Sequence, residues 1–256
     1  MPLMVDRHED QEAPVLETAP ASATDPSPPP VRRSSITKPK PKPQLQKLPK
    51  PRPPPSTTPP MPPRPLLICS IGNPGPQYAN TLHSAAHTVL YRLASHLGYP
   101  SFQKDRSWGG GLLSKPRFAG GGEGRNWTLW QSTAYMNESG KGVRAALTAW
   151  KRSLPSGEGE GRLVVVHDEL EKPLGAVSVK TKQGLSARGH NGLKSCAGSL
   201  GGVEWVRIGV GIGRPESRES TDVARYVLRK MDSEQKIAVE GAVEGVVEGL
   251  RRLEVG

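Results

Sequence analysis

The folded part of the chain is predicted to begin at Leu66, where the hydrophobic pattern changes abruptly. A short apolar run, LLICSIG, is followed by the turn residues 72–75, which predicts a buried strand that ends in a tight turn. Between Ser84 and Leu97, apolar residues recur every three or four positions, the spacing of a helix that packs on a sheet. A strand, a loop and a helix in this order are typical of an α/β domain.

The pattern continues to alternate between strand-like and helix-like segments. Further strands are predicted at residues 109–113, 127–131, 162–170, 176–182 and 205–212, the first two around a glycine-rich hairpin at 120–124. Further helices are predicted at residues 139–151, 192–200 and 232–253. We therefore expect an α/β fold: a three-layer single domain in which a central mixed, mostly parallel twisted sheet is flanked by helices.

Residues 1–64 have a different composition from the rest of the chain. They hold 19 of the 27 prolines and no aromatic residue, so they cannot bury enough apolar surface to offset the entropy of ordering. We predict a disordered, proline-rich basic tail at 1–64 and one catalytic domain at 65–256. Residues 31–64 contain no acid and should be extended. This stretch is a candidate for contact with RNA or with a proline-binding module.

The charge favours an anionic partner. A formal net charge of +11 points to nucleic acid ahead of a membrane surface, and no apolar run is long enough for a membrane span. Cys69 and Cys196 lack any CxxC spacing, which argues against a zinc site and a disulfide framework and fits a reducing compartment. We expect a cytoplasmic protein, with a mitochondrial location as the alternative suggested by residues 32–35.

Six polar residues stand at the predicted strand ends, where open α/β sheets bind their ligands. Their amide, imidazole and carboxylate groups suit hydrogen bonding to sugar, phosphate or peptide, and histidine alone among them exchanges protons near neutral pH. The six are Asn73, His83, Asn137, Asp168, His190 and Asn191.

Several common sites are excluded by spacing. His83 and His87 stand four residues apart, but Ser84 replaces the glutamate of a zinc-binding HExxH helix. The segment NESGKG at 137–142 differs from a nucleotide-binding loop because Tyr135 occupies its first glycine position. The chain also lacks the GxSxG motif of α/β-hydrolases. These spacings therefore do not predict a zinc-binding helix, a nucleotide-binding loop or a serine hydrolase of that fold.

Five segments together resemble the successive signature blocks of bacterial-type peptidyl-tRNA hydrolases, in the family's order. The segments are SIGNPGPQYANTLHSAAH at 70–87, AYMNESGKGV at 134–143, VVVHDEL at 164–170, GHNGLKS at 189–195 and RIGVGIGRP at 207–215. The resemblance implies hydrolysis of the ester between a peptide and its tRNA, which releases the tRNA for reuse. It also implies a monomer that acts on peptidyl-tRNA without a metal or cofactor.

The same resemblance implies roles for individual residues. His83 matches the catalytic base that activates water, and Asp168 matches the acid that orients this histidine and stabilises the imidazolium. Substrate-binding roles are implied for Asn73, Tyr78, Tyr135, Asn137, His190 and Asn191. Lys180 and Arg207 match basic positions near the tRNA phosphates.

The chain departs from the family pattern at several positions. Leu82 stands where arginine is usual, residues 84–86 read Ser-Ala-Ala in place of Asn-Ala-Gly, and Arg188 stands where glycine is usual. A rival hypothesis is an RNA-binding relative without turnover, as in plastid intron splicing, and another is a proline-rich scaffold. The presence of Asn73, His83, Asn137 and Asp168 together favours the enzyme.

Overall fold

The computed structural model describes residues 63–116, 127–155 and 161–255. The predicted tail, apart from residues 63 and 64, and the tip of the predicted glycine-rich hairpin lie outside these ranges. Within them, no helix combines the length and the apolar character needed to cross a membrane.

The strands of the described residues form one mixed sheet, as predicted, with seven strands instead of the six that the sequence predicts. They are β1 Leu66–Ser70, β2 Gln103–Lys104, β3 Leu112–Ser114, β4 Trp127–Gln131, β5 Arg162–Glu169, β6 Val177–Lys180 and β7 Trp205–Gly211. Their order in the sheet is β2-β3-β4-β1-β5-β7-β6. The four strands β4, β1, β5 and β7 are parallel, whereas β2, β3 and β6 join the sheet through antiparallel pairings.

Helices cover both faces of the sheet. They are α1 Ala85–His96, α2 Ser139–Ser153, α3 Asn191–Leu200, α4 Ser220–Leu228, α5 Ser233–Gly241 and α6 Val243–Val255. Alternate residues of the central strands point to opposite faces of the sheet. On one face Ile68 and Val164 pack with α1, α5 and α6. On the other face Cys69 and Val165 pack with α2 and α3. Two apolar cores separated by a sheet account for the predicted three layers.

The C-terminal region differs from the prediction. The single helix expected at 232–253 is divided at Ala242 into α5 and α6. Gly241 at the break has low helix propensity, and Asp232 and Gln235 form a capping box that begins α5. Ile237, one of the apolar residues that recur at helical intervals in this segment, is 71% exposed.

Two other differences concern short elements. Helix α4 and the two-residue strand β2 were not predicted. The strand expected at 109–113 begins only at Leu112, because Gly109 and Gly110 adopt left-handed backbone conformations, with φ of 71° and 73°, that are incompatible with a strand.

Helix packing explains why glycine stands at position 140, in the segment NESGKG at 137–142. The amide of Gly140 donates to Ser195 Oγ at 3.0 Å, and a Cβ at position 140 would lie 2.1 Å from the carbonyl oxygen of Ser195. Helices α2 and α3 can approach this closely only because residue 140 has no side chain.

We expect Gly140→Ala to lower the free energy of unfolding by about 3 kcal/mol, because the added methyl group forces α2 and α3 apart. The matched control is Gly198→Ala within α3, where a Cβ meets no atom within 4 Å and helix propensity predicts a gain of up to about 1 kcal/mol. Urea unfolding of both variants checks the pair. Equal effects of the two substitutions would contradict this account of the helix crossing.

Candidate active site

A cleft of about 1080 Å³ opens at the carboxyl ends of the parallel strands. Eight of the ten residues singled out from the sequence line it: Asn73, His83, Asn137, Asp168, Lys180, His190, Asn191 and Arg207. Tyr78 and Tyr135 lie outside its lining and pack edge to face on each other, with ring centroids 6.3 Å apart. The wall formed by α4, from Ser220 to Leu228, was missed because that helix was not predicted.

Asp168, near the end of β5, is the centre of the cleft's hydrogen bonding. Its side chain is 2% exposed. Oδ2 lies 2.9 Å from Nδ1 of His83, and Oδ1 lies 2.9 Å from Nε2 of His190. Because an ionised carboxylate only accepts hydrogen bonds, both imidazoles donate to it. Burial alone would raise the pKa of Asp168, but the two histidines hold it far below its usual range.

The hydrogen bonds at Nδ1, the ring nitrogen that faces away from Asp168, determine the tautomer of His190. Nδ1 accepts hydrogen bonds from the amides of Gly192 at 3.1 Å and Leu193 at 3.3 Å, which makes His190 the N-cap of α3. An acceptor nitrogen carries no proton, so the single ring proton is on Nε2 and is donated to Asp168. His190 is therefore neutral in this arrangement, with both nitrogens engaged inside the protein. The resemblance implied a substrate-binding role for His190 and did not predict its contact with Asp168.

His83 has the opposite tautomer. It lies in the short 3₁₀ helix before α1, and its Nδ1–H donates to Asp168, which leaves the lone pair of Nε2 available in the cleft. Burial alone would lower the pKa of His83, but the charge and the hydrogen bond of Asp168 outweigh burial and raise it above the ordinary value. A neutral imidazole with a free nitrogen and a raised pKa is suited to accept a proton near neutral pH.

The departures around His83 are accommodated in the core. Leu82, Ala85 and Ala86 are fully buried, and the hydroxyl of Thr81 donates to Ser84 Oγ at 3.2 Å. These contacts fix the turn that carries the histidine.

Asn73 is oriented by a residue that sequence reasoning missed. The amide of Met136 donates to Asn73 Oδ1 at 2.9 Å, so the Asn73 Nδ2 group is the remaining donor of this side chain. Met136 in turn packs against α3 at Gly192, where a Cβ would lie 2.4 Å from its sulfur. Asn137 and Asn191 are exposed beside this contact.

Arg207, which the resemblance placed near the tRNA phosphates, is buried. It is 6% exposed, its guanidinium stacks 4.6 Å from the Trp205 ring centroid, and it donates to the carbonyls of Leu185 and Ser186. Lys180 is paired with Glu169. Arg207 therefore holds the loop at 185–190 in place.

His167 and His87 are buried near the cleft in neutral form. His167 donates from Nδ1 to the carbonyl of Asp168 at 2.7 Å and its ring lies edge-on to His190, while His87 Nδ1 lies 2.8 Å from Ser70 Oγ. Burial lowers the pKa of each to about 4.

The ligating atoms of His83, Asp168 and His190 lie within 4.8 Å of one another, close enough to hold a metal ion. Hydrogen bonds already account for this arrangement, because both carboxylate oxygens accept N–H groups and His190 Nδ1 caps a helix.

Comparison with known proteins decides the family. The sequence model of the family described as peptidyl-tRNA hydrolase matches residues 67–254. The chain belongs to the peptidyl-tRNA hydrolase family. Its relatives include the peptidyl-tRNA hydrolase of Geotalea daltonii, 39% identical over 71% of this chain and 86% of the relative, and that of an Anaeromyxobacter strain, 41% identical over 70% and 86%. The resemblance inferred from the five sequence segments is thus confirmed.

Solved structures of the family share the fold. The Arg119Gln mutant of the peptidyl-tRNA hydrolase of Acinetobacter baumannii matches with a TM-score of 0.59 and 29% identity, over 74% of this chain and 88% of that chain.

We expect the free energy of unfolding to fall as pH is lowered from 7 toward 4. His87 and His167 have pKa values of about 4 in the folded chain and about 6.5 in an unfolded one. The unfolded state therefore binds more protons throughout this window, with a slope approaching about 1.4 kcal/mol per pH unit for each histidine.

Urea unfolding at several pH values measures this slope. His87→Gln should reduce it, whatever the variant's absolute stability, since one of the two histidines is removed. An unchanged slope in the variant would contradict the burial of His87 in neutral form.

Proposed function

We propose that this cleft hydrolyses the ester that joins a peptide to the terminal ribose of its tRNA, with His83 as the general base. Peptidyl-tRNA hydrolysis is the named activity of the relatives. The observation that supports the catalytic assignment is the double hydrogen bonding of Asp168, which leaves Nε2 of His83 as a free base in the cleft.

The reaction proceeds by attack of water on the ester carbonyl. Nε2 of His83 takes a proton from the water as its oxygen bonds to the carbonyl carbon. The resulting imidazolium is stabilised by the carboxylate of Asp168, 2.9 Å from Nδ1. When the bond between the carbonyl carbon and the ribose oxygen breaks, the imidazolium returns the proton to that oxygen, which leaves a free carboxylic acid and an intact tRNA.

Two asparagines supply donors for the substrate. Oδ1 of Asn73 accepts from the amide of Met136, which orients the side chain so that Nδ2 is its donor. Asn137 is exposed in the adjoining turn. Oriented amides of this kind hold the peptide main chain and the attacking water and stabilise charge on the carbonyl oxygen.

The remaining residues bind the tRNA end or position those that do. His190 has both nitrogens engaged, so it acts as a positioning residue for Asp168, while Asn191 beside it contacts the terminal nucleotide. Tyr135, half exposed and packed edge to face with Tyr78, offers an aromatic ring for stacking the terminal adenine. Lys180 adds positive charge near the phosphates.

The organisation of the chain is part of the proposal. We propose a monomeric catalytic domain at 65–256 in a cytoplasmic enzyme, preceded in the sequence by the proline-rich residues 1–64, most of which lie outside the described residues. The basic composition of 31–64 suits contact with RNA.

The first test is hydrolysis of an N-blocked aminoacyl-tRNA by the full chain and by His83→Ala. Loss of the base should reduce kcat by roughly a thousandfold or more while tRNA binding is retained. Full activity in the variant would contradict His83 as the base. Binding without hydrolysis by the parent chain would favour the RNA-binding alternative.

Asp168→Asn should reduce kcat by at least about a hundredfold and change the pH profile. In the parent, kcat/KM falls as pH drops through the raised pKa of His83. Without the carboxylate charge this pKa is lower, so the acidic limb should move to lower pH. Asp232→Asn is the matched control, since asparagine still caps α5 away from the cleft. An unmoved acidic limb in Asp168→Asn would contradict the proposed pairing.

A further inference from the structure

Arg188 has a backbone conformation that its side chain disfavours. Its φ of +46° lies in the left-handed region, and Gly189 follows with φ of +86°. Within residues 63–116, 127–155 and 161–255, Asn80 is the only other non-glycine residue with positive φ, and asparagine tolerates that conformation. A glycine would fit position 188 without strain, so the presence of arginine points to a use for its side chain.

The loop that carries Arg188 is fixed from both sides. The buried guanidinium of Arg207 donates to the carbonyls of Leu185 and Ser186. The amide of Arg188 donates to Ser186 Oγ at 3.2 Å, and the amide of His190 donates to the carbonyl of Ala187 at 2.9 Å. The backbone of Arg188 is therefore held while its exposed side chain lines the cleft.

The cleft has an excess of positive charge. Its lining contains six lysines and arginines against three acids. Glu169 is paired with Lys180 and Glu171 with Arg214, and the charge of Asp168 is hydrogen-bonded by two neutral histidines. Among the described residues, three cations of the lining have no ion pair and no side-chain hydrogen bond: Arg188, Lys194 and Arg218. A polyanion is the ligand that such a lining fits.

We propose that the guanidinium of Arg188 binds a backbone phosphate in the single-stranded 3′ end of the tRNA and so positions the ester beside His83. The inference rests on the proposed function and adds a residue to its site. Arg188 is two residues from His190, so their Cα atoms are at most about 7 Å apart. The bound phosphate therefore belongs to the last few nucleotides, and the planar guanidinium can bind it through two parallel hydrogen bonds.

The test uses substitutions that the backbone accepts. Arg188→Gly and Arg188→Asn both tolerate positive φ, so they remove the cation without disturbing the loop, and Arg188→Gly should unfold at the same or higher urea concentration than the parent. Hydrolysis is measured with an N-acetyl-aminoacyl ester on full tRNA, on the trinucleotide CCA, and on adenosine, which has no phosphate.

Both variants should raise KM about five- to tenfold for tRNA and for the trinucleotide, with kcat within about twofold, and leave KM for the adenosine ester unchanged. The slope of log KM against log salt should fall by about 0.7, the value for one phosphate of a single strand. The control is Arg252→Gln, which removes an exposed arginine of α6 outside the cleft lining. This variant should keep both the KM and the salt slope of the parent.

Provided that the parent chain hydrolyses the esters, three outcomes in the Arg188 variants would overturn the proposal. KM and the salt slope could both be unchanged, KM could rise only for full tRNA, or KM could rise equally for the adenosine ester. If the parent does not hydrolyse the esters, the proposed function fails separately. Arg188 is then tested by the dissociation constant of the CCA trinucleotide. Arg188→Gly should raise this constant about five- to tenfold, and an unchanged value would contradict the proposed role of Arg188.

Discussion

The site depends on one buried carboxylate that accepts two imidazole N–H groups. An isolated buried charge is strongly destabilising, and it is tolerated only when hydrogen-bonded partners replace its hydration. Asp168 meets that condition through His83 and His190. The same contacts determine which nitrogen of each ring carries its proton, so the requirement to satisfy a buried charge also prepares the base.

The fold brings these three residues together from separate elements. Asp168 lies near the end of β5, His83 lies in the turn before α1, and His190 begins α3. Close packing fixes their relative positions: Gly140 lets α2 approach α3, and Gly192 lets α3 approach Met136, whose amide orients Asn73. Gly140, which stands in the segment that superficially resembles a phosphate-binding loop, thus serves helix packing.

Much of the fold could be predicted from the sequence because burial imposes periodic patterns. The apolar run of β5 and the helical spacing of α1 are examples of strong local signals. Helix α4 was missed because it is short and partly exposed, and the break at Ala242 was missed because the apolar spacing runs through it. Six of the eight predicted cleft residues were singled out by their place at predicted strand ends, and Lys180 and Arg207 were added by resemblance. Their contacts were not predicted. Tertiary packing, which no local pattern encodes, determines that Arg207 is buried and that His190 caps a helix.

The tautomers of His83 and His190 follow directly from these contacts, and ¹⁵N NMR of the imidazole nitrogens at a pH above the raised pKa of His83, where the ring is neutral, measures them. His83 should carry its proton on Nδ1, and His190 should carry its proton on Nε2. Asp168→Asn should change the shifts of both rings, and Asp232→Asn should change neither. A neutral His83 ring with its proton on Nε2 in the parent chain would rule out His83 as the base in this arrangement, because that nitrogen could then not accept a proton from water.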